Sequence, residues 1–216
     1  AHGPRFLAVA FAGCLCRPGL SERIAVSANY LPYRASAATP LGSADWAGPG
    51  VPYNFMARML LQQPNTPAAL KLLERTLRMV GLNYTLGDNR GRICCVETIP
   101  TEQAVVRSKE GFVVHANSYH HPHFGGLTEA QQRTQDPRAW TAREVLRRRG
   151  MPLARADVYA AQRTHFRGCD TGVCVHTNDG GKPMITLLSF VAEVAAGTMW
   201  LAYGSPCQHR FLPYRL

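Results

Sequence analysis

Residues 82–98 read LNYTLGDNRGRICCVET, and the fold class turns on how this stretch is read. Its hydrophobic period is two, interrupted at Gly87-Asp88-Asn89-Arg90-Gly91, a cluster of residues that favour tight turns. Alternation on both sides of such a cluster predicts an antiparallel pair of strands, Leu82–Leu86 and Arg92–Thr98. The same period continues through strands predicted at Gln103–Arg107 and Gly111–His115, with Ile99-Pro100-Thr101 and Ser108-Lys109-Glu110 as turns. The stretch is therefore a four-strand antiparallel meander.

Upstream the period changes to that of a helix. Phe55, Met56, Met59 and Leu60 mark a helix over Val51–Gln63. Asn65-Thr66-Pro67 supplies a cap and a first-turn proline for a second helix over Ala68–Val80. Leu70, Leu73, Leu77 and Val80 share one face of that helix, and Gly81 is its expected stop. Before the helices, Pro32–Pro52 reads as a long loop of small residues anchored by Trp46, of a length that hints at a lid or binding loop. Ahead of it, strands are expected at Arg5–Gly13 and Ile24–Leu31, joined by the turn-rich Gly13–Gly19. Downstream of the meander come a polar loop (Gly125–Pro137), helices at Trp140–Arg149 and Pro152–Thr164, and a glycine-rich loop (Phe166–Pro183). Strands at Ile185–Val194, Thr198–Tyr203 and His209–Tyr214 close the chain. Runs of antiparallel strands broken by helix pairs predict an α+β fold with sheets packed together and helices outside. No repeat or linker divides residues 1–216, which are expected to form a single domain.

Composition narrows the function classes. With 46% hydrophobic and 18% charged residues over 216 positions, the chain can bury a substantial core and does not read as disordered. No apolar run is long enough for a membrane-spanning helix, and the alternation of the first residues suits a strand better than a signal peptide. The net charge is +10 and is carried by arginine, the lysines being Lys71, Lys109 and Lys182. The densest group is Arg143, Arg147, Arg148 and Arg149, with Arg133, Arg138 and Arg155 nearby. No nucleic-acid-binding motif accompanies it, so nucleic acid is not the expected partner. Excess arginine equally suits an anionic small molecule. The seven cysteines include no C-x-x-C pair of the zinc or redox kind and read as reduced thiols of a cytoplasmic protein. His115, His120, His121 and His123 have no acidic residue among them, and neither a metal nor a cofactor is expected.

Two stretches share a shape that points to chemistry. In Gly111–Pro122, GFVVHANSYHHP, an apolar run ends in His115-Ala116-Asn117 and then a proline. In Ile24–Pro32, IAVSANYLP, an apolar strand ends in Asn29, an aromatic and a proline. Strand ends deliver side chains to a sheet edge, where sites are built. An asparagine amide is a neutral donor suited to an oxyanion.

In order along the chain, AVSANYLP, VPYNFMARMLLQQPNTPAALKLLERT with its Arg58, NYTLGDNRGRICCVET and VVHANSYHHP, with a last strand before GSPCQHRFLPYRL, resemble the isopenicillin N acyltransferase family. These are acyl-coenzyme A:aminopenicillanic acid acyltransferase-like, N-terminal-nucleophile hydrolases. The resemblance implies a four-layer αββα fold and a precursor that cleaves itself to expose an N-terminal cysteine, whose thiol attacks an amide or acyl-thioester carbonyl. It assigns Asn117, in the V-H-x-N segment, and Asn29 as donors to the tetrahedral oxyanion, with His115 supporting them from behind. The family's nucleophile precedes its first strand pair by some forty residues. It is therefore expected outside these residues, with the first strands of the sandwich also missing and the Arg5–Gly13 strand left as an edge that favours self-association. Cys14 and Cys16 stand where the family has a glycine-rich bend, and neither is taken as the nucleophile. The family's late Cys-Arg-His segment reads Cys174-Val175-His176 here. The expected activity is linear amide hydrolysis or acyl transfer. The alternative is a relative without catalysis that keeps the pocket for a small acidic ligand.

Overall fold

A computed structural model describes residues 3–12, 19–32, 49–108, 110–166, 172–177 and 184–216. The turn bearing Cys14 and Cys16, the loop around Trp46, and Lys109, Cys169 and Lys182 lie outside the described residues. The chain forms two compact units, one of residues 1–127 with 193–198 and 216, the other of residues 128–192 with 199–215.

The first unit is built on a six-stranded sheet whose strands follow chain order. They are β1 (Phe6–Ala8), β2 (Gly19–Ser21), β3 (Ile24–Tyr30), β4 (Leu82–Asp88), β5 (Ile93–Thr98) and β6 (Gln103–Val106), each antiparallel to the next. Between β3 and β4 the chain makes helices α1 (Tyr53–Leu61) and α2 (Thr66–Arg75). Met56, Leu60, Leu61, Ala69 and Leu73 from the helices join Ile24, Val26, Leu82, Tyr84, Leu86, Cys94 and Val96 from the sheet in one buried cluster. Alternation along each strand sends these residues to a single face. Fully burying one such leucine is worth roughly 1.5–3 kcal/mol.

The turn predicted between β4 and β5 is present, and Gly91 takes φ 78° there, a conformation that costs glycine little. Its organiser is Asp88, whose carboxylate accepts from the N–H groups of Arg90 (3.0 Å) and Arg92 (3.3 Å) and from Arg92 Nε (2.8 Å). It also accepts from the Thr66 N–H at the start of α2 (2.9 Å). Burial alone would raise the Asp88 pKa, but these donors pull it down to about 2. The Asn65 side chain caps α2 as expected, accepting from the Ala68 N–H at 3.0 Å.

The second helix ends sooner than predicted, at Arg75 rather than Val80. The reason is Arg78, which is almost fully buried. Its guanidinium donates to the carbonyls of Leu73, Thr76, Ile99 and Glu102. Carbonyls left over at a helix end need donors, and here one side chain supplies them while tying α2 to the β5–β6 turn.

A larger departure concerns residues 111–115, expected as a strand. They form none; β6 ends at Val106 and is the last strand of the sheet. This segment is held by side chains instead of a ladder, as described below.

In the second unit, α3 (Glu129–Gln135) occupies part of the predicted polar loop. Its signal was in the sequence as Thr128-x-x-Gln131, a reciprocal capping box. Helices α4 (Pro137–Arg149) and α5 (Arg155–Gln162) follow, then the short β7 (His176–Thr177) and β8 (Met184–Ile185), which pair antiparallel. Strands β9 (Leu188–Glu193), β10 (Thr198–Tyr203) and β11 (Leu212–Arg215) form a three-stranded sheet with β10 central. Tyr159 of α5 stacks on Phe211 with ring centroids 4.0 Å apart. Much of the arginine cluster is engaged inside this unit. Arg147 pairs with Glu129 (2.7 Å) and Glu144 (3.1 Å), and Arg143 donates to Gln132 (2.6 Å). Arg155 lies over the Trp200 ring at 3.8 Å.

Candidate functional site

The face of the six-stranded sheet opposite α1 and α2 is polar where β3, β4 and β5 run side by side. Asn29 is paired in register with Asn83, and Asn83 with Glu97, so three polar side chains form a row across the sheet. Two residues along, the next row is Ser27, Thr85 and Cys95. Asn83, Cys95 and Glu97 are fully buried.

Glu97 is the hub. Its Oε1 accepts from His115 Nε2 at 2.7 Å and from the His120 N–H at 2.6 Å, and its Oε2 accepts from the His121 N–H at 3.0 Å. Burial pushes the carboxyl pKa up, but the His115 ring and the two backbone donors outweigh it and hold it below the ordinary value. An ionised carboxylate with this many donors satisfies its lone pairs, and it replaces the ladder that residues 111–122 lack. Two further bonds fix the same segment to the sheet end formed by Tyr30, Leu82 and Thr98. Asn117 Nδ2 donates to the Tyr30 carbonyl at 2.9 Å, and the Tyr119 hydroxyl donates to the Thr98 carbonyl at 3.3 Å.

Beyond Tyr119 the chain makes a 3-10 turn, Pro122–Phe124, and folds back so that the Leu127 N–H reaches the Tyr119 carbonyl at 2.7 Å. A Cβ at Gly126 would stand 2.4 Å from the His120 carbonyl carbon, and one at Gly81 would stand 2.9 Å from the Tyr119 hydroxyl. Glycine at both positions lets the loop lie this close.

The sequence-predicted site residues are thus placed as follows. Asn117 reaches the backbone of Tyr30, the residue after Asn29, so both asparagines are at one end of the sheet. His115 is buried against Glu97, with both side chains inaccessible to solvent, and its Nδ1 faces the Ala116 carbonyl at 3.1 Å. Sequence reasoning missed Glu97 and Asn83. The signal available was register: both fall on the polar phase of strands whose other phase is apolar, level with Asn29. Asn83 donates to the Thr85 hydroxyl at 3.4 Å, while its Oδ1 is buried without a partner.

The Cys95 thiol lies 3.3 Å from the Thr85 hydroxyl, and burial pushes it up to about 12 although hydrogen bonds to Thr85 and Asn83 pull the other way. Burial also raises Cys94. Thiols held neutral in this way are poor nucleophiles. Glu97, His115 and His120 bring ligand atoms within 4.8 Å of one another, but the carboxylate is already satisfied by three donors, so the cluster reads as the anchor of a loop.

The elements make a mixed α/β fold with sheets flanked by helices, consistent with the αββα arrangement of the N-terminal-nucleophile hydrolases. The structure matches that of an arginine-to-leucine variant of conjugated bile acid hydrolase from Clostridium perfringens with a TM-score of 0.59, covering 97% of this chain and 80% of that one at 10% identity. The family model for acyl-coenzyme A:6-aminopenicillanic acid acyl-transferase matches residues 41–208. The chain therefore belongs to that acyl-transferase family, and the α+β fold expected from sequence is the one found. No curated protein sequence matches the chain. Among the described residues, no helix is long and apolar enough to cross a membrane.

Proposed function

We propose that this chain carries the oxyanion-binding part of a linear amide hydrolase or acyltransferase whose nucleophile is an N-terminal cysteine upstream of Ala1. Family membership supports the general chemistry of amide or acyl-thioester carbonyls. The observation that carries the finer reading is the row Asn29–Asn83–Glu97, onto whose sheet end residues 115–121 are fixed by directed hydrogen bonds.

In this reading a small amide or acyl-thioester is attacked by the thiolate, and negative charge develops on its carbonyl oxygen. Asn117 and Asn29 donate to that oxygen. Donors that are oriented before reaction stabilise such charge without reorganising during it. The bond from Asn117 to the Tyr30 carbonyl orients its amide. Glu97 and His115 are positioning residues, since their bonds fix the backbone on either side of Asn117.

The test is to read the coding sequence upstream of Ala1 and to assay the full-length product. A cysteine that becomes N-terminal by self-cleavage, with turnover of simple acyl amides, supports the proposal. A full-length chain with no such cysteine and no turnover overturns it and favours a ligand-binding relative.

A further inference from the structure

The second unit holds a cluster that the amide chemistry does not use. His165, Cys174, His176 and Cys207 bring their ligand atoms within 4.8 Å of one another. Three segments carry them, and each is tied down by hydrogen bonds. His165 bridges to Gly172 just beyond α5, and the Thr164 carbonyl accepts from the N–H groups of Val173 (3.1 Å) and Cys174 (3.0 Å). A Cβ on Gly172 would stand 2.7 Å from the His165 Cα, so this close approach requires glycine. His176 is held by the β7–β8 pair, in register with Ile185. Cys207 follows Pro206, whose carbonyl accepts from Arg163 Nε at 2.9 Å.

The chemistry of the four groups fits one kind of ligand. The sulfurs of Cys174 and Cys207 are 3.5 Å apart, well beyond the ~2.05 Å of a disulfide. That spacing is close to the roughly 3.8 Å expected for two thiolates on one tetrahedral zinc with bonds of about 2.3 Å. The rings of His165 and His176 meet edge to face with centroids 4.8 Å apart. Nε2 of His165 is buried without a hydrogen-bond partner, which a buried polar atom rarely tolerates.

We propose that this cluster binds one divalent zinc ion through two thiolates and two neutral imidazoles. Binding releases the two thiol protons, and the dication with two thiolates is a neutral site. Two sulfur and two nitrogen ligands in a tetrahedron select zinc among the common divalent ions. With all four positions filled by protein, the ion is structural: it joins the end of α5, the 172–177 segment and the loop after β10.

Two measurements on the full chain test this. Protein purified without chelator is analysed for metal by inductively coupled plasma mass spectrometry, beside Cys174→Ser, His165→Ala and, as a control in the other unit, His123→Ala. About one zinc per chain is expected, lost in the first two variants and kept in the third. The unaltered protein, stripped with chelator and titrated with cobalt(II), is expected to show the visible ligand-field bands of a tetrahedral thiolate site. This readout stands whether or not the variants fold. The proposal is overturned by an unaltered protein that takes up neither zinc nor cobalt, by zinc content unchanged in both ligand variants, or by a Cys174–Cys207 disulfide in the peptide map of the freshly purified protein.

Discussion

The two faces of the six-stranded sheet are held by different physics, although the same three strands build both. On one face Val26, Tyr84, Leu86 and Val96 bury against Met56, Leu60 and Leu73. These contacts are numerous and non-directional, and side chains of similar volume can replace one another. On the other face Asn29, Asn83 and Glu97 line up, and Glu97 holds a whole loop through three directed bonds. No residue of another shape reproduces such a set. The apolar face makes the fold, and the polar face fixes the geometry of a site.

Substitutions on the two faces should therefore fail in different ways. Glu97→Ala removes the acceptor for His115 and for two backbone N–H groups. It is expected to cost about 1–3 kcal/mol for each buried donor left without its partner. Hydrogen exchange at the His120 and His121 amides should accelerate more than exchange in β4. Equal acceleration everywhere would show that Glu97 is ordinary core. Leu60→Ala on the opposite face is expected to cost about 2–5 kcal/mol, with Leu60→Met costing under about 1.5 kcal/mol, both read by denaturant melts. A cost for the methionine variant matching that of alanine would contradict the picture of a volume-tolerant face.

Acid should act on the directed bonds first, and with a smaller and graded effect. Asp88 and Glu97 both have pKa values depressed in the folded protein. Their stabilisation is complete above the ordinary values of 3.8 and 4.5 and is lost as pH falls through the folded values, about 2 for Asp88. Thermal melts are expected to be flat from neutral pH to about 5 and to fall steadily below it. For Asp88→Asn that fall should be shallower. A melting temperature independent of pH down to about 2 would remove both carboxylates from the account.

The sequence made one face far more legible than the other. Alternation in Leu82–Thr98 and the Asp88–Gly91 turn is local, and so are the Asn65 cap and the helical spacing of Met56 and Leu60. Residues 111–115 misled because Phe112-Val113-Val114 has the composition of a strand, whereas what holds the segment is Glu97, a residue of another strand. Arg78 shortened α2 for a similar reason: its carbonyl partners at Ile99 and Glu102 are far along the chain. The Cys/His cluster escaped notice because its ligands are split between residues 165–176 and Cys207, with no C-x-x-C spacing. In each case the decisive interaction is long-range and polar, where local periodicity carries no signal.

The most direct measurement is the kcat of the processed full-length protein with Asn117→Ala, taken together with its melting temperature. The account predicts a fall of about 100- to 1000-fold in kcat with the melting temperature little changed. An unchanged kcat, or a loss of rate that only tracks a loss of folded protein, would contradict it.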